Sequence, residues 1–319
     1  MSELSVRRAT EHDLPQVLDL LRAAMHRSDD ERFTELFRWK HLDNAYGPSP
    51  AWVAEDGDRI VAVRYLMRWE FERSGEVLRA VRAVDTATHP DYQGRGLFRT
   101  LTTGAIDDLL QEGTDFIFNT PNDQSRPGYL KMGWKLVGVL PVPTRPLSVV
   151  GLVKMAKARV AADHFSTPAT CGDPAADVLV DGFAVEQLLA QRPALPRLRS
   201  RLTPEVLQWR FGGTLLTYRA ISTPDGIGVF RFRRRGPARE LAIAALLSPT
   251  EAGSKRLARA ILRAARSHAD YAVAIGAAPL ASFVSVPKAG PTLVWRALAN
   301  DDFPSLGEWS LTLGDIELF

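Results

Sequence analysis

The chain has 319 residues, of which 45% are hydrophobic and 24% charged, and a net charge of +3. This length accommodates two ordinary domains, and the composition is that of a globular protein, neither disordered nor fibrous. The small, scattered charge argues against nucleic-acid binding, the lone Cys171 rules out a disulfide framework, and no apolar run reaches the ~18 residues of a membrane span. Six histidines without HExxH or Cys-His spacing predict no metal site. The N-terminus, MSELSVRRATEHDL, has no signal-peptide core, so the expectation is a cytoplasmic protein without a nucleic-acid or membrane partner.

Leu4 to Arg8 alternates as a strand does. Thr10 or Asp13 then caps a helix with Leu14, Val17, Leu18, Leu21, Ala24 and Met25 on one face. A second amphipathic segment covers Asp30 to Lys40, and a turn follows from Asn44 to Pro50. Residues 51–55 and 59–71 read as strands joined by the hairpin signal Asp56-Gly57-Asp58, and Val77 to Thr88 as a third, long strand. Leu97 to Leu110 has helical periodicity, and Thr114 to Asn119 is a short buried strand.

Between the third strand and that helix lies Gln93-Gly94-Arg95-Gly96-Leu97-Phe98. Two glycines opening a helix allow positive φ and close approach of a ligand to the backbone, and the N–H groups there suit a phosphate or diphosphate. No Lys-Ser/Thr follows, which excludes a P-loop, and Arg99 stands where a dinucleotide fold has its third glycine.

Gln93-x-x-Gly96-x-Phe98 resembles the acetyl-CoA signature of the Gcn5-related N-acetyltransferases (GNAT), Arg/Gln-x-x-Gly-x-Gly/Ala, departing only at Phe98, where the usual residue is small. The departure suggests altered packing between helix and strand. Asn122 and Ser125, followed by Tyr129-Leu130-Lys131-Met132-Gly133-Trp134, resemble the other half of that family's signature. The opening VRRATEHDLPQVLDLL and the order strand, two helices, three antiparallel strands, glycine loop and helix are also similar to the family's. The resemblance implies an α/β (α+β) GNAT fold over residues 1–147: a mixed, mostly antiparallel sheet flanked by helices that binds acetyl-CoA or another acyl-CoA.

Residues 148–180, with an apolar-basic helix at 149–160, read as a connector. Residues 181–319 hold a weaker echo of the first part. Trp209 follows a segment like that before Trp39, and Lys288-Ala289-Gly290 matches Lys131-Met132-Gly133. The tryptophans lie 170 residues apart and the glycines 157, so the second copy is shorter around the loop. Its equivalent, Thr250-Glu251-Ala252-Gly253-Ser254, has one glycine and a carboxylate that would repel phosphate, and Val286 or its apolar neighbours replace the tyrosine. The expectation is a second GNAT-like domain that has lost coenzyme binding and closes over the first domain's acceptor cleft; an unrelated α/β domain with accidental matches is the alternative. The run Arg231 to Arg235 reads as the solvated face of an edge strand, with a nucleic-acid or phosphate site as the alternative.

For the chemistry, the resemblance implies that Val84, Asp85 and Thr86 offer backbone N–H groups to an acyl carbonyl and the pantetheine arm. The N–H groups of Gln93, Gly94, Arg95, Gly96, Leu97 and Phe98 would hold the diphosphate, with Arg95 or Arg99 as a charged partner. Tyr129 is implied as the acid protonating the departing thiolate, with packing as its alternative role. Asn122 and Ser125 either bond the pantetheine arm or cap a helix. Candidates for the base are Asp85, Glu70, Glu72 or a carboxylate of the C-terminal Asp315–Phe319, and a water chain would replace any of them. The expected acceptor is the amine of a small molecule, and the protein a monomer or homodimer. Alternatives are a Fem-like transferase using aminoacyl-tRNA, disfavoured by the nearly intact coenzyme loop, and a non-catalytic acyl-CoA sensor.

Overall fold

The computed structural model describes residues 4–24, 31–276, 282–285, 290–299 and 302–317. In chain order the elements are β1 (Ser5–Arg8), α1 (Leu14–Ala24), α2 (Phe33–His41), β2 (Ala51–Asp56), β3 (Arg59–Arg73), β4 (Glu76–Thr88), α3 (Leu97–Gly104), α4 (Ile106–Gln111), β5 (Phe116–Asn119), α5 (Arg126–Lys131) and β6 (Lys135–Val139). There follow β7 (Thr144–Pro146), α6 (Val149–Lys157), β8 (Asp173–Pro174), α7 (Ala175–Leu179), α8 (Gly182–Ala190), β9 (Arg199–Ser200), α9 (Pro204–Phe211), β10 (Arg219–Thr223), β11 (Gly226–Arg235), β12 (Ala238–Leu247), α10 (Glu251–Ala264), β13 (Tyr271–Ala274), β14 (Thr292–Ala297) and α11 (Leu313–Ile316).

The chain forms two compact units, and neither is contiguous. The first comprises Met1–Phe71, Val77–Gly138 and Thr292–Pro304; the second comprises Glu72–Glu76, Val139–Pro291 and Ser305–Phe319. The expected division at 147 and 180 differs from this in a physical way. The supposed connector is packed: α6 is capped by Ser148, its Lys154 pairs with Asp270 at 3.0 Å, and a Cβ on Gly151 would lie 2.0 Å from the Asp270 carbonyl oxygen.

In the first unit the strands run β1-β2-β3-β4-β5-β14-β6. β14, from the far end of the sequence, fills the slot between β5 and β6, pairing antiparallel with β5 from Val294–Asn119 to Ala297–Phe116. β3 is buried from Ile60 to Met67, which explains an apolar run that only Arg64 interrupts. One face packs on α1 and α2 through Val17, Leu21, Phe33 and Phe37, and the other on α3 to α5 through Leu97, Leu101, Leu109 and Tyr129. The entry to α1 is fixed by a capping box between Thr10 and Asp13, and Arg7 binds that carboxylate at 2.7 and 2.8 Å. Met25 and Asp30, placed in helices by the sequence, lie outside the described residues.

The single helix expected over 97–110 is two, α3 and α4. The hydroxyls of Thr100, Thr102 and Thr103 donate to the carbonyls four residues back at 3.3, 2.6 and 2.9 Å, and Gly104 follows. Such back-bonding competes with the helix ladder and bends it.

In the second unit the order is β7-β13-β12-β11-β10-β8. β11 is an interior strand, so the solvated edge expected for Arg231 to Arg235 is wrong: Arg231 is 0% and Arg233 8% exposed. Two buried carboxylates make this possible. Glu317 receives Arg231 at 2.9 Å and Arg233 at 3.2 Å, and Glu240 receives Arg233 at 2.6 Å and Arg235 at 3.1 Å. The Tyr218 and Tyr271 hydroxyls donate to the same two carboxylates at 2.5 and 2.6 Å. Val286, Lys288 and Ala289, part of the expected repeat, lie outside the described residues.

Candidate active site

The glycine loop takes the conformation its composition requires. Gly94 has φ +75° and Gly96 φ +80°, and a Cβ on either would meet no protein atom within 4 Å. The glycines therefore serve the left-handed backbone, and the space beside them is open. Gly96 is the N-cap of α3, and no side chain among the described residues caps that end. The exposed side chains fold back on the loop itself: Arg95 lies 4.6 Å from the Tyr92 ring centre and donates to the Asp91 carbonyl at 3.2 Å, and Gln93 donates weakly to the Thr88 carbonyl at 3.4 Å. Uncapped first-turn N–H groups beside open space suit a diphosphate, so this stretch fits the coenzyme that the motif implies.

Upstream, β4 and β5 are paired in parallel only from Ala80–Phe116 to Arg82–Phe118, whereas β4 continues to Thr88. Val84, Asp85 and Thr86 lie on this extension. The Thr86 hydroxyl donates back to the Val63 carbonyl at 3.1 Å. Asp85 has φ +36°, a costly conformation for a residue with a side chain, at the place where the strands part.

Tyr129 is brought against the loop helix by α5. It is 3% exposed and meets Phe98 and Trp134 edge to face, both at 5.3 Å. Its hydroxyl accepts a hydrogen bond from Arg64, whose guanidinium also lies 5.5 Å from the Phe98 ring and 5.3 Å from the Tyr129 ring. Arg64 is 1% exposed, and its Nε has no hydrogen-bond partner among the described residues. Phe98, the departure from the usual motif, thus fills a defined place. A Cβ on Gly128 would lie 3.1 Å from the Phe98 ring, so the glycine before Tyr129 accommodates the aromatic on α3. The altered packing is chiefly between two helices, with one strand residue, Arg64, stacked on it.

Sequence reasoning missed the partners of Asp85. Its carboxylate pairs with Lys40 and lies 2.6 Å from His41 Nε2, both on α2 and both buried. His41 Nδ1 lies 2.9 Å from the Ser49 hydroxyl. With Asp85 ionised, Nε2 carries the proton and donates, and Nδ1 accepts from Ser49. Burial alone would raise the Asp85 carboxyl, but the Lys40 charge and the His41 hydrogen bond outweigh it and hold the group well below the usual carboxylate range. Burial, opposed by Asp85, drops His41 to about 4. A carboxylate so held is a poor proton acceptor, which argues against Asp85 as the base and for a role in bracing the strained end of β4.

Glu70 does not join this group. It sits six residues beyond Arg64 on β3, about 20 Å along an extended strand. Glu72 belongs to the second unit and binds Arg199, and Asp315 accepts from the backbone N–H of Thr312 at 2.6 Å. Glu317 is buried among arginines, and residues 318–319 lie outside the described ones. Asn122 and Ser125 bond each other: the Asn122 side-chain oxygen accepts from the Ser125 N–H and hydroxyl, both at 2.9 Å, opening α5. The Ser125 side chain, at the N-cap of α5, accepts from no helical N–H among the described residues, so the pair closes a turn ahead of the helix.

Residues 5–137 match the family model described as the acetyltransferase (GNAT) domain. This segment is a GNAT domain. A search of curated proteins finds no match. Among solved structures, the chain is similar to a probable N-acyltransferase from Enterococcus faecalis, at 10% identity and TM-score 0.68 over 93% of this chain and 73% of that one. It is also similar to a GCN5-related N-acetyltransferase from Anabaena variabilis (15%, TM-score 0.66, 93% and 73%) and to Eis1 from Mycobacterium abscessus (12%, TM-score 0.58, 93% and 74%). At these identities the likeness is one of fold. The glycine loop, the splayed β4 and Tyr129 all fall inside the GNAT domain.

Proposed function

We propose that the protein is an acyl-CoA-dependent N-acyltransferase, acetyl-CoA being the first candidate donor, that acts on the amine of a small molecule. One observation carries this reading: the end of β4, parted from β5 but still held to β3, runs into an exposed two-glycine loop and an uncapped helix, with the Tyr129 phenol packed on that helix. Bound there, the coenzyme supplies an activated thioester. The main-chain N–H groups of residues 94–98 bind its diphosphate, and those of 84–86 orient the pantetheine arm and the acyl oxygen; donors of this kind contribute about 3 kcal/mol each in comparable sites. Tyr129 holds a proton at its hydroxyl oxygen for the leaving sulfur, and Arg64, donating to that oxygen, fixes the direction in which the proton points. With Asp85 disfavoured by its low proton affinity and Glu70 by distance, the amine loses its proton to solvent through water. The strand order of the second unit supports reading it as a second GNAT-like domain. Thr250 caps α10 by accepting from the Gly253 N–H at 3.0 Å, and Glu251 follows, which supports the absence of a diphosphate site there.

The near-complete burial of Tyr129 favours one competing reading, a non-catalytic acyl-CoA sensor in which the ring only packs. Calorimetry with acetyl-CoA and turnover against a panel of amines, on the native chain and Tyr129→Phe, decide between them. The transferase reading expects unchanged affinity with turnover reduced about a hundredfold or more. Native protein that binds acetyl-CoA and acylates no amine supports the sensor. No heat with acetyl-CoA overturns both.

A further inference from the structure

The second unit contains a cavity of about 250 Å³ that the GNAT domain does not contribute to. It lies where a parallel pair ends. β12 and β13 are in register from Glu240–Tyr271 to Ile243–Ala274, after which β13 stops and β12 continues to Leu247. Ile243, Leu246, Ala274 and Ile275 give it apolar walls. Arg192 and Arg199 provide its positive side, and Arg192 and Arg199 also border a second cavity of about 260 Å³.

The cations of the cavity wall differ in whether a carboxylate touches them. Arg199 is bound to Glu72, and Glu251 at the cavity edge is largely exposed and paired with Lys255. Asp315 and Glu72 favour the Arg192 cation from a distance, but the Asp315 carboxylate is already taken by the Thr312 N–H and hydroxyl at 2.6 and 2.8 Å. Among the described residues, none accepts a hydrogen bond or ion pair from the Arg192 guanidinium. Burial and the nearby Arg199 lower Arg192 to about 10, so it remains a cation at neutral pH. A half-buried cation beside an apolar cavity is a binding site for a counter-anion whose remainder is apolar.

We propose that this cavity binds a small aliphatic monocarboxylate, its carboxylate on Arg192 and its hydrocarbon chain on the Ile243, Leu246 and Ile275 walls. Diphosphates are disfavoured, because the α10 N-terminus is already capped by Thr250 and carries Glu251 in its first turn. The site is therefore distinct in chemistry from the glycine loop of the first unit, and the proposal stands whether or not that loop binds a coenzyme.

The test uses the full chain with hexanoate as probe, and 1-hexanol and hexylamine as neutral and cationic controls of the same length, read by calorimetry. Hexanoate is expected to bind native protein at least tenfold more tightly than either control and at least tenfold more tightly than it binds Arg192→Gln. Acetyl-CoA affinity should be the same in both proteins. Arg192→Lys, which keeps the charge and loses the planar fork, should bind hexanoate with intermediate affinity, and it serves alone if Arg192→Gln does not fold. Equal affinity for hexanoate and 1-hexanol, equal hexanoate affinity in native and Arg192 variants, or no hexanoate binding at millimolar concentration overturns the proposal.

Discussion

His41 gives the fold a specific acid sensitivity. An unfolded imidazole takes its proton near pH 6.5, whereas the buried one, between Asp85 and Ser49, does so only at about 4. Between these values the unfolded chain binds more protons than the folded one, so stability falls as pH falls through that window. The difference of some 2.5 pH units corresponds to about 3 kcal/mol. Asp85, held below its usual range, adds its own loss only at lower pH, as its carboxylate protonates. The perturbation is His41→Gln, which removes the titrating group and keeps an amide donor for Asp85. Urea unfolding followed by tryptophan fluorescence at pH 7.0, 6.0, 5.0 and 4.5 should show the native protein losing about 2–3 kcal/mol more than the variant across that range. At pH 7 the variant should be the less stable of the two, by about 1–3 kcal/mol, because the packing of His41 on Tyr65 and Phe37 at 4.5 and 4.6 Å is lost. Parallel pH profiles for the two proteins would refute the reasoning, since they would mean that His41 does not titrate differently on folding.

Gly96→Val places a β-branched residue at φ +80°, costing about 1–2 kcal/mol in backbone strain and filling the open space beside the loop; acetyl-CoA titration should then give no measurable heat while the circular dichroism spectrum is retained. Glu317→Gln leaves Arg231 and Arg233 facing a neutral amide, and the midpoint of urea unfolding should report a loss of about 3–5 kcal/mol.

What the sequence revealed and what it hid divide by distance along the chain. A helix cap at Thr10 or Asp13, the hairpin at Gly57 and the two-glycine turn are legible because each is written within a few residues; that both residues cap, as a box, is seen only in the structure. Arg64 gave a faint signal, one charge inside Ile60–Met67, but nothing local says that it donates to Tyr129, 65 residues on. The Asp85 carboxylate looked like a free base because His41, its partner, lies 44 residues earlier on α2. The Arg231 to Arg235 run looked solvated because Glu317, which neutralises Arg231, lies 86 residues later. Buried charge is decided by partners that composition cannot locate. The break between α3 and α4 was hidden differently: the threonine back-bonds that bend the helix are local, yet the apolar period runs through them.

The late strand β14 also governs how the molecule comes into being. A ribosome delivers the entire two-glycine loop and Tyr129 long before residue 297, yet the sheet beneath them has a gap between β5 and β6 until that last strand emerges. A nascent GNAT domain must therefore wait with two open strand edges, a state that invites mispairing with other chains. A fragment ending near residue 145 would be left permanently in that state, and a separable first domain can be made only by grafting residues 292–304 onto its end.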